Sequence, residues 1–423
     1  MECQTRSSTS EGYGPATDVG IVGCMTDSIA TAGPNTTDNQ PTRPTARRVV
    51  ALDVLRGIAI LGTLGTNIWI VTHREGMLGY IHELQQPAHG WLWLERVLQQ
   101  SVQGKYLGLL TIMFGIGLAI QQRSAQRAGR RWPGSYPWRA ILLLLDGLLN
   151  FLFVAEYDVL MGYAVTGLIV SFILATSERA QRRWLITAAA VHFALLTVMA
   201  LGMIFALNLD SGGHKPLDPN PYATGSFWDL VVFRVQHIDS FRFEPIFISA
   251  MSLALFLTGA LLYRAGVFLP EGARLRKRLM IIGFGIATPI DLLIGILGSG
   301  DMFVFCRYGT AAFVSFGILA LVAEFYVRRP RLGFAGRRLT EIGRTALSCY
   351  ILQNLIASFL CYGWGLGLAK DVSDDARVPF TVGIFLLVAL IIATSAHFWL
   401  RRFERGPVEW LWNRSYRALA REQ

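Results

Sequence analysis

Along residues 54–400 the apolar positions fall in long, nearly unbroken runs, and the polar positions collect between them. A helix crossing a bilayer needs about 20 mostly apolar residues. Ten stretches meet that demand, near 54–72, 106–122, 138–155, 158–176, 184–208, 245–264, 279–298, 302–326, 343–367 and 379–400. None shows the two-residue alternation of an outer-membrane barrel strand. Only helices or closed barrels satisfy their backbone in lipid, so the pattern predicts an all-α, polytopic transmembrane bundle of about ten spans. The third and fourth spans are nearly fused through Ala155-Glu156-Tyr157-Asp158, which predicts a tight helical hairpin. The ninth carries Gly363, Gly365 and Gly367 and is expected to end early.

Residues 1–46 differ in kind. They are rich in Ser, Thr, Gly and Pro and have no apolar period, which reads as a disordered cytoplasmic tail. No basic segment precedes a short apolar run there, so the stretch is not read as a secretory signal. Residues 47–400 form the membrane domain, and 401–423 a basic cytoplasmic segment.

Composition agrees with this division. The chain is 52% hydrophobic and 16% charged, against roughly 25% charged for a soluble protein. Five cysteines in 423 residues are too few for a disulfide scaffold. The net charge of +10 acquires meaning from its placement. Twenty-nine of the 39 Lys and Arg lie in the tail, in the 123–139, 179–183, 264–278 and 328–344 loops and beyond 400. Eight lie in the alternate set of connections, and Arg56 and Arg307 lie within spans. The positive-inside rule puts the first set, with both termini, in the cytoplasm. A nucleic-acid partner is then not needed to explain the charge, and the basic loops lack stacking aromatics. The opposite face has three sizeable loops, 73–105, 209–244 and 368–378. They hold five of the seven histidines, His73, His82, His89, His214 and His237, and an amphipathic stretch near Phe227–Val235.

Ionisable groups inside spans are costly and mark functional sites. Asp53 and Arg56, three apart at the start of the first span, share a face and can pair. Such a pair anchors a helix at the interface or presents a cation to a phosphate. Asn67 lies three turns further along that face, toward the bundle interior. Asp146 and Asn150 share a face of the third span. Glu156 and Asp158 follow, able to share a proton, hold a base or, for Asp158, cap the next helix. Arg307 wants an anionic partner, and Asp291 is available. Gln353 and Asn354 bring amides to membrane depth, where interhelical bonding is their usual role. Cys306, Cys349 and Cys361 are spaced unlike metal ligands and read as small packing residues; no metal site is predicted. The Phe114–Gly117 segment, Phe-Gly-Ile-Gly, reads as a close-packing face.

Several of these segments together resemble a known family. The run from Arg48 through Asp53, Arg56 and Gly62 to Asn67 looks like the opening signature of the YeiB-like family of bacterial membrane proteins. Gly104-Lys105-Tyr106 with Phe114–Gly117 resembles its second-helix motif. Gly147 to Tyr163, with Asp158, resembles its third and fourth helices. Gly343-Arg344 to Tyr350 and Gln353 resembles the ninth, and Arg405-Gly406-Pro407-Val408-Glu409-Trp410 the C-terminal stop. The family is similar to the transmembrane acyltransferase superfamily, which includes acyltransferase family three and heparan-alpha-glucosaminide N-acetyltransferase. The resemblance therefore implies a bacterial cell membrane protein that carries an acyl group from cytoplasmic acyl-CoA to a sugar, lipid or small-metabolite acceptor. It makes Arg56, Asn67, Lys105, Arg344 and Gln353 substrate-binding candidates, to which the in-span position of Arg307 adds that residue. One departure stands out: Asn150 occupies the place where the third-helix motif usually has histidine. An amide cannot serve as a general base near neutral pH. His73, His82, Glu156 and Asp158 are the replacements, with Asp158 and His73 first. Two other readings stay open. Asp146, Asp291 and Arg307 could line a transport path, although no inverted repeat is visible. Alternatively, Asn150 marks a catalytically silent, scaffolding member.

Overall fold

A computed structural model describes residues 50–83, 92–206, 216–298, 302–329 and 331–420. The expected tail, together with His89 and His214, lies outside the described residues. The chain divides into a unit Met1–Arg47 and a unit Arg48–Gln423, and the description below concerns the second.

No strand occurs among the described residues. The first helix, α1 (Val50–Val71), is followed by two short ones, α2 (Gly76–Glu83) and α3 (Leu92–Val102). Gly104 adopts φ 71° and separates α3 from α4 (Lys105–Arg127). A side chain would be strained in that left-handed conformation. The hairpin of α5 (Tyr136–Phe153) and α6 (Leu160–Ile173) turns through the residues expected from the sequence. The long α7 (Glu178–Ala206) follows.

Next come α8 (Pro221–Thr224), α9 (Phe227–Gln236) and α10 (Ile238–Phe247), leading into α11 (Ser249–Arg264). The expected outer loop 209–244 is thus largely helical. Its amphipathic stretch is α9, which starts at a reciprocal cap: the Ser226 hydroxyl accepts from the Asp229 N–H at 3.3 Å, and the Asp229 carboxylate accepts from the Ser226 N–H at 2.8 Å.

The seventh and eighth spans are not uniform α-helix. A π-helical segment, Ile281–Ala287, joins α12 (Ala273–Met280) to α13 (Thr288–Leu297). A second, Cys306–Thr310, joins α14 (Phe303–Phe305) to α15 (Ala311–Arg328). The chain ends with α16 (Phe334–Arg344), α17 (Ala346–Cys361), α18 (Asp374–Arg402) and α19 (Pro407–Ala420). As its glycines predict, the ninth span stops early, at Cys361.

Among the described residues, eight helical segments are long and apolar enough to cross a membrane. They correspond to all the expected spans but the fourth and ninth, whose counterparts, α6 and α17, have 14 and 16 residues. The protein is a multi-pass membrane protein. Its centre is α1, buried along almost its whole length, and α4. Two apolar clusters flank α1. One joins it to α4, α6, α11 and α15, the other to α17 and α18. Outer helices turn large apolar residues outward, such as Ile186, Val198, Leu293 and Leu390. Lipid covers such a surface without the cost water would exact.

Small residues set the closest crossings. A Cβ on Gly57 of α1 would strike the Leu339 carbonyl, and one on Gly343 the Asp53 carbonyl. These two glycines let α1 and α16 touch backbone to backbone. Gly115 and Gly259 do the same for α4 and α11. The close-packing reading of Phe114–Gly117 therefore holds at Gly115.

Candidate functional site

A cavity of about 440 Å³ opens among α1, α4, α5, α16, α17 and α19. Its walls are apolar over much of their area, with Ile60, Met113, Phe114, Leu143 and Leu160. Gly117, which would have no neighbour within 4 Å of a Cβ, leaves that wall open. Three arginines from three elements converge on it: Arg56, Arg139 and Arg344.

Each arginine is held by what surrounds it. Arg56 pairs with Asp53 at 3.2 Å, the i,i+3 contact the spacing predicts. Arg139 donates to Gln121 at 2.8 Å and lies over the Tyr416 ring, 4.3 Å from its centroid. Arg344 donates to the Glu404 carbonyl at 2.9 Å. The C-terminal motif thus has a structural purpose. Glu409 accepts from the Leu347 and Ser348 N–H groups at 2.8 and 3.2 Å, capping α17 and fixing α19 against the cavity. Asp146 has a buried, unpartnered Oδ2 and lies within reach of the Glu409 charge.

Tyr350 also lines the cavity, with a buried hydroxyl beside the Val159 backbone. The Asp158 carboxylate is near enough for its charge to act on that hydroxyl. Asn150 donates to Asp158 Oδ1 at 2.8 Å, and the Met161 N–H donates to Oδ2 at 3.3 Å. Asp158 is 1% exposed, so this constellation is shielded from bulk water. The Asp158 capping role is real, and Asn150 stands beside it as an orienting donor. Gln353 is fully buried and reaches Thr63 of α1 at 3.5 Å, and its Oε1 is unpartnered. Asn67 is half-buried on α1.

Other expected groupings do not form. Glu156 and Asp158 keep separate partners. Glu156 pairs instead with Arg234 at 3.2 Å, in a site where both side chains are almost wholly buried. Arg234 also donates to the Leu152 and Val154 carbonyls, and Arg242 donates to the Asp158 carbonyl at 3.2 Å. Both arginines were assigned to an exposed outer loop. The structure lays them over the α5–α6 turn, whose buried carbonyls and Glu156 carboxylate need donors.

His73 bonds Glu83 at 3.3 Å, not Asp158. Arg307 does not pair with Asp291. It pairs with Glu244 at 2.7 Å, because α10 and not α13 brings a carboxylate to its fork. Asp291 is matched by Lys105 at 2.5 Å, with Gln100 and Thr310 bonding it at 2.8 and 2.5 Å. Lys105 is therefore a buried residue at the start of α4, not a loop residue, and it stands at the opposite end of α4 from Gln121. Neither Lys105 nor Arg307 lines the arginine cavity. Among the described residues, no group of three His, Cys, Asp or Glu is placed to hold a metal ion. Cys306, Cys349 and Cys361 are buried and free.

Sequence reasoning missed Arg139, Tyr350 and Glu244 as partners. The local signal for Arg139 was present in its position at a basic helix start, facing the same end as Arg56.

The family model described as "Protein of unknown function (DUF418)" matches residues 262–418. The uncharacterized protein YxaH of Bacillus subtilis is 26% identical over 399 residues, covering 88% of this chain and 95% of its own. The uncharacterized protein YeiB of Escherichia coli is 28% identical over 392 residues, covering 86% and 95%. Over most of its length the chain is thus similar to these two uncharacterized proteins, and its C-terminal part matches the DUF418 family model.

Proposed function

We propose that this protein, a relative of the YeiB-like proteins, is an integral-membrane acyltransferase that uses acyl-CoA as donor. The observation that carries the reading is the apolar cavity on which Arg56, Arg139 and Arg344 converge. Three guanidinium groups at one end suit phosphate groups, which arginine binds through paired donors. The apolar walls suit an acyl-pantetheine arm, and Tyr350 in the wall stands near the buried Asp158, which Asn150 bonds from behind the lining.

In this reading an acceptor hydroxyl or amine attacks the thioester carbonyl. A C–O or C–N bond forms, the C–S bond breaks, and the acceptor proton passes to Asp158 and then to the departing CoA thiolate. The Tyr350 hydroxyl proton is a donor for the oxyanion in this reading. Asn150 cannot take the proton, so Asp158 carries the base role and Asn150 orients it. Arg56 and Arg344 hold the donor. Lys105 and Arg307 keep other partners, so the proposal gives them a structural part.

The test is purified protein supplied with labelled acetyl-CoA and a panel of sugar, lipid and amine acceptors, read as transfer or thioester hydrolysis. Asp158→Asn is expected to lower turnover by about 100-fold or more, as removal of a general base does. Arg56→Ala with Arg344→Ala is expected to weaken CoA binding while Asp158→Asn leaves it intact. Absence of CoA binding to the unaltered protein overturns the reading. A second reading, transport, is favoured by the buried Lys105–Asp291 pair, because both π-helical segments adjoin it and such segments recur at functional sites. Solute flux into proteoliposomes without covalent change would support that alternative.

A further inference from the structure

A second concavity, away from the arginine cavity, lies between α12 and the end of α15 and has a volume of about 720 Å³. Its rim is cationic. Arg274 and Lys277 sit three apart on one face of α12, and Arg328 and Arg329 end α15. Its floor is apolar, made by Met280, Leu321 and Phe325. Leu321 and Phe325 are 51% and 49% exposed, so this floor belongs to the outward surface of the bundle.

The single acid there, Glu324, is already engaged by Arg276 and Arg328. Arg276 is buried and spends its remaining donors on the Val267 and Leu269 carbonyls. Among the described residues, Arg274, Lys277 and Arg329 have no carboxylate partner. Topology alone accounts for cations at this end of the bundle. It does not require them to converge from two helices over an exposed apolar floor.

We infer that this groove is a binding site for an anionic phospholipid, its phosphate among Arg274, Lys277 and Arg329 and an acyl chain along Leu321 and Phe325. Charge complementarity selects an anion. The floor, continuous with the lipid-facing surface, selects one that carries its own hydrocarbon. The change from charged rim to apolar floor within about one helical turn matches the boundary between headgroup and acyl region.

The experiment is native mass spectrometry of the full chain released from nanodiscs of equal phosphatidylglycerol and phosphatidylethanolamine. The unaltered protein is expected to retain phosphatidylglycerol selectively. Each cation near an anionic lipid is worth about fivefold, so Lys277→Glu should lower the retained fraction by at least that factor. The combined Arg274→Ala, Lys277→Ala and Arg329→Ala variant should abolish selectivity. Arg130→Ala with Arg131→Ala, which changes the net charge by the same two units as Lys277→Glu but in another basic loop, should leave it unaltered. The inference is overturned if the triple variant keeps its lipid, if phosphatidylethanolamine is retained equally, or if inorganic phosphate competes the lipid away. Should the triple variant not fold, Lys277→Glu alone decides. CoA binding is independent of this result, so the outcome leaves the proposed activity to its own test.

Discussion

At the scale of single residues, the most consequential contact is Arg234 with Glu156. Both are almost wholly buried, and Arg234 also satisfies two carbonyls at the α5–α6 turn. Breaking a buried pair strands a charge, and the cost is about 3–5 kcal/mol. Arg234→Met should therefore destabilise the protein by that amount in detergent unfolding. Adding Glu156→Gln should recover part of the loss, because the stranded charge is then gone. Equal unfolding midpoints for the two variants would show that lost carbonyl bonds, not the charge, dominate. The sequence could not announce this pair. Local spacing reveals i,i+3 partners such as Asp53 and Arg56, whereas Arg234 lies 78 positions from Glu156 and in a segment too polar to resemble a span. For the same reason Arg307 looked toward Asp291, its neighbour in adjacent spans, and found Glu244, 63 positions away.

At the scale of helices, periodicity did far better. Apolar runs located nearly every long helix, the hairpin at Ala155–Asp158 and the early stop at Cys361, because those depend on local composition and on glycine. The crossings depend on shape. Gly57 admits α16 to the backbone of α1, and Gly57→Val would force the two apart. Overpacking of this kind costs about 1–3 kcal/mol, and it should lower the thermal midpoint while Gly202→Ala, which meets nothing within 4 Å, does not.

The short α2 is held differently. It is tied to α18 by charge, with Glu83 bonded to both His73 and Arg377. Partial burial pushes the Glu83 carboxyl up, but the His73 hydrogen bond and the Arg377 charge outweigh it and leave it below the ordinary carboxylate range. A depressed carboxylate stabilises the fold above its unfolded value, and that contribution disappears as the pH falls through the folded value. Glu83→Gln should therefore flatten the acid limb of a stability–pH curve below about pH 5. An unchanged acid limb would remove the contact from the account.

At the scale of the whole molecule, the open question is how the two short helices meet the membrane. With 14 residues α6 is about 21 Å long, and with 16 residues α17 is about 24 Å. Both fall short of a hydrocarbon layer of about 30 Å. The α5–α6 turn is nonetheless buried, with Ala155, Glu156 and Asp158 at 1%, 0% and 1% exposure, and Arg234 and Arg242 donate into it. A turn covered by protein can lie inside the membrane's thickness, so α6 can complete a crossing without reaching the far interface. Its other end meets three arginines, 179, 182 and 183, which the charge bias assigns to the same side as the 123–139 loop. If α6 crosses, Ser177 and Gly129 face the same compartment; if it does not, they face opposite ones. The discriminating measurement is labelling of Ser177→Cys and Gly129→Cys with a membrane-impermeant maleimide in a background carrying Cys3→Ser and Cys24→Ser. The remaining cysteines, 306, 349 and 361, are buried. Both probes should resist label in intact cells and accept it once the membrane is opened. Labelling of position 177 alone from outside would remove α6 from the count, and with it the like-sided termini that ten spans require.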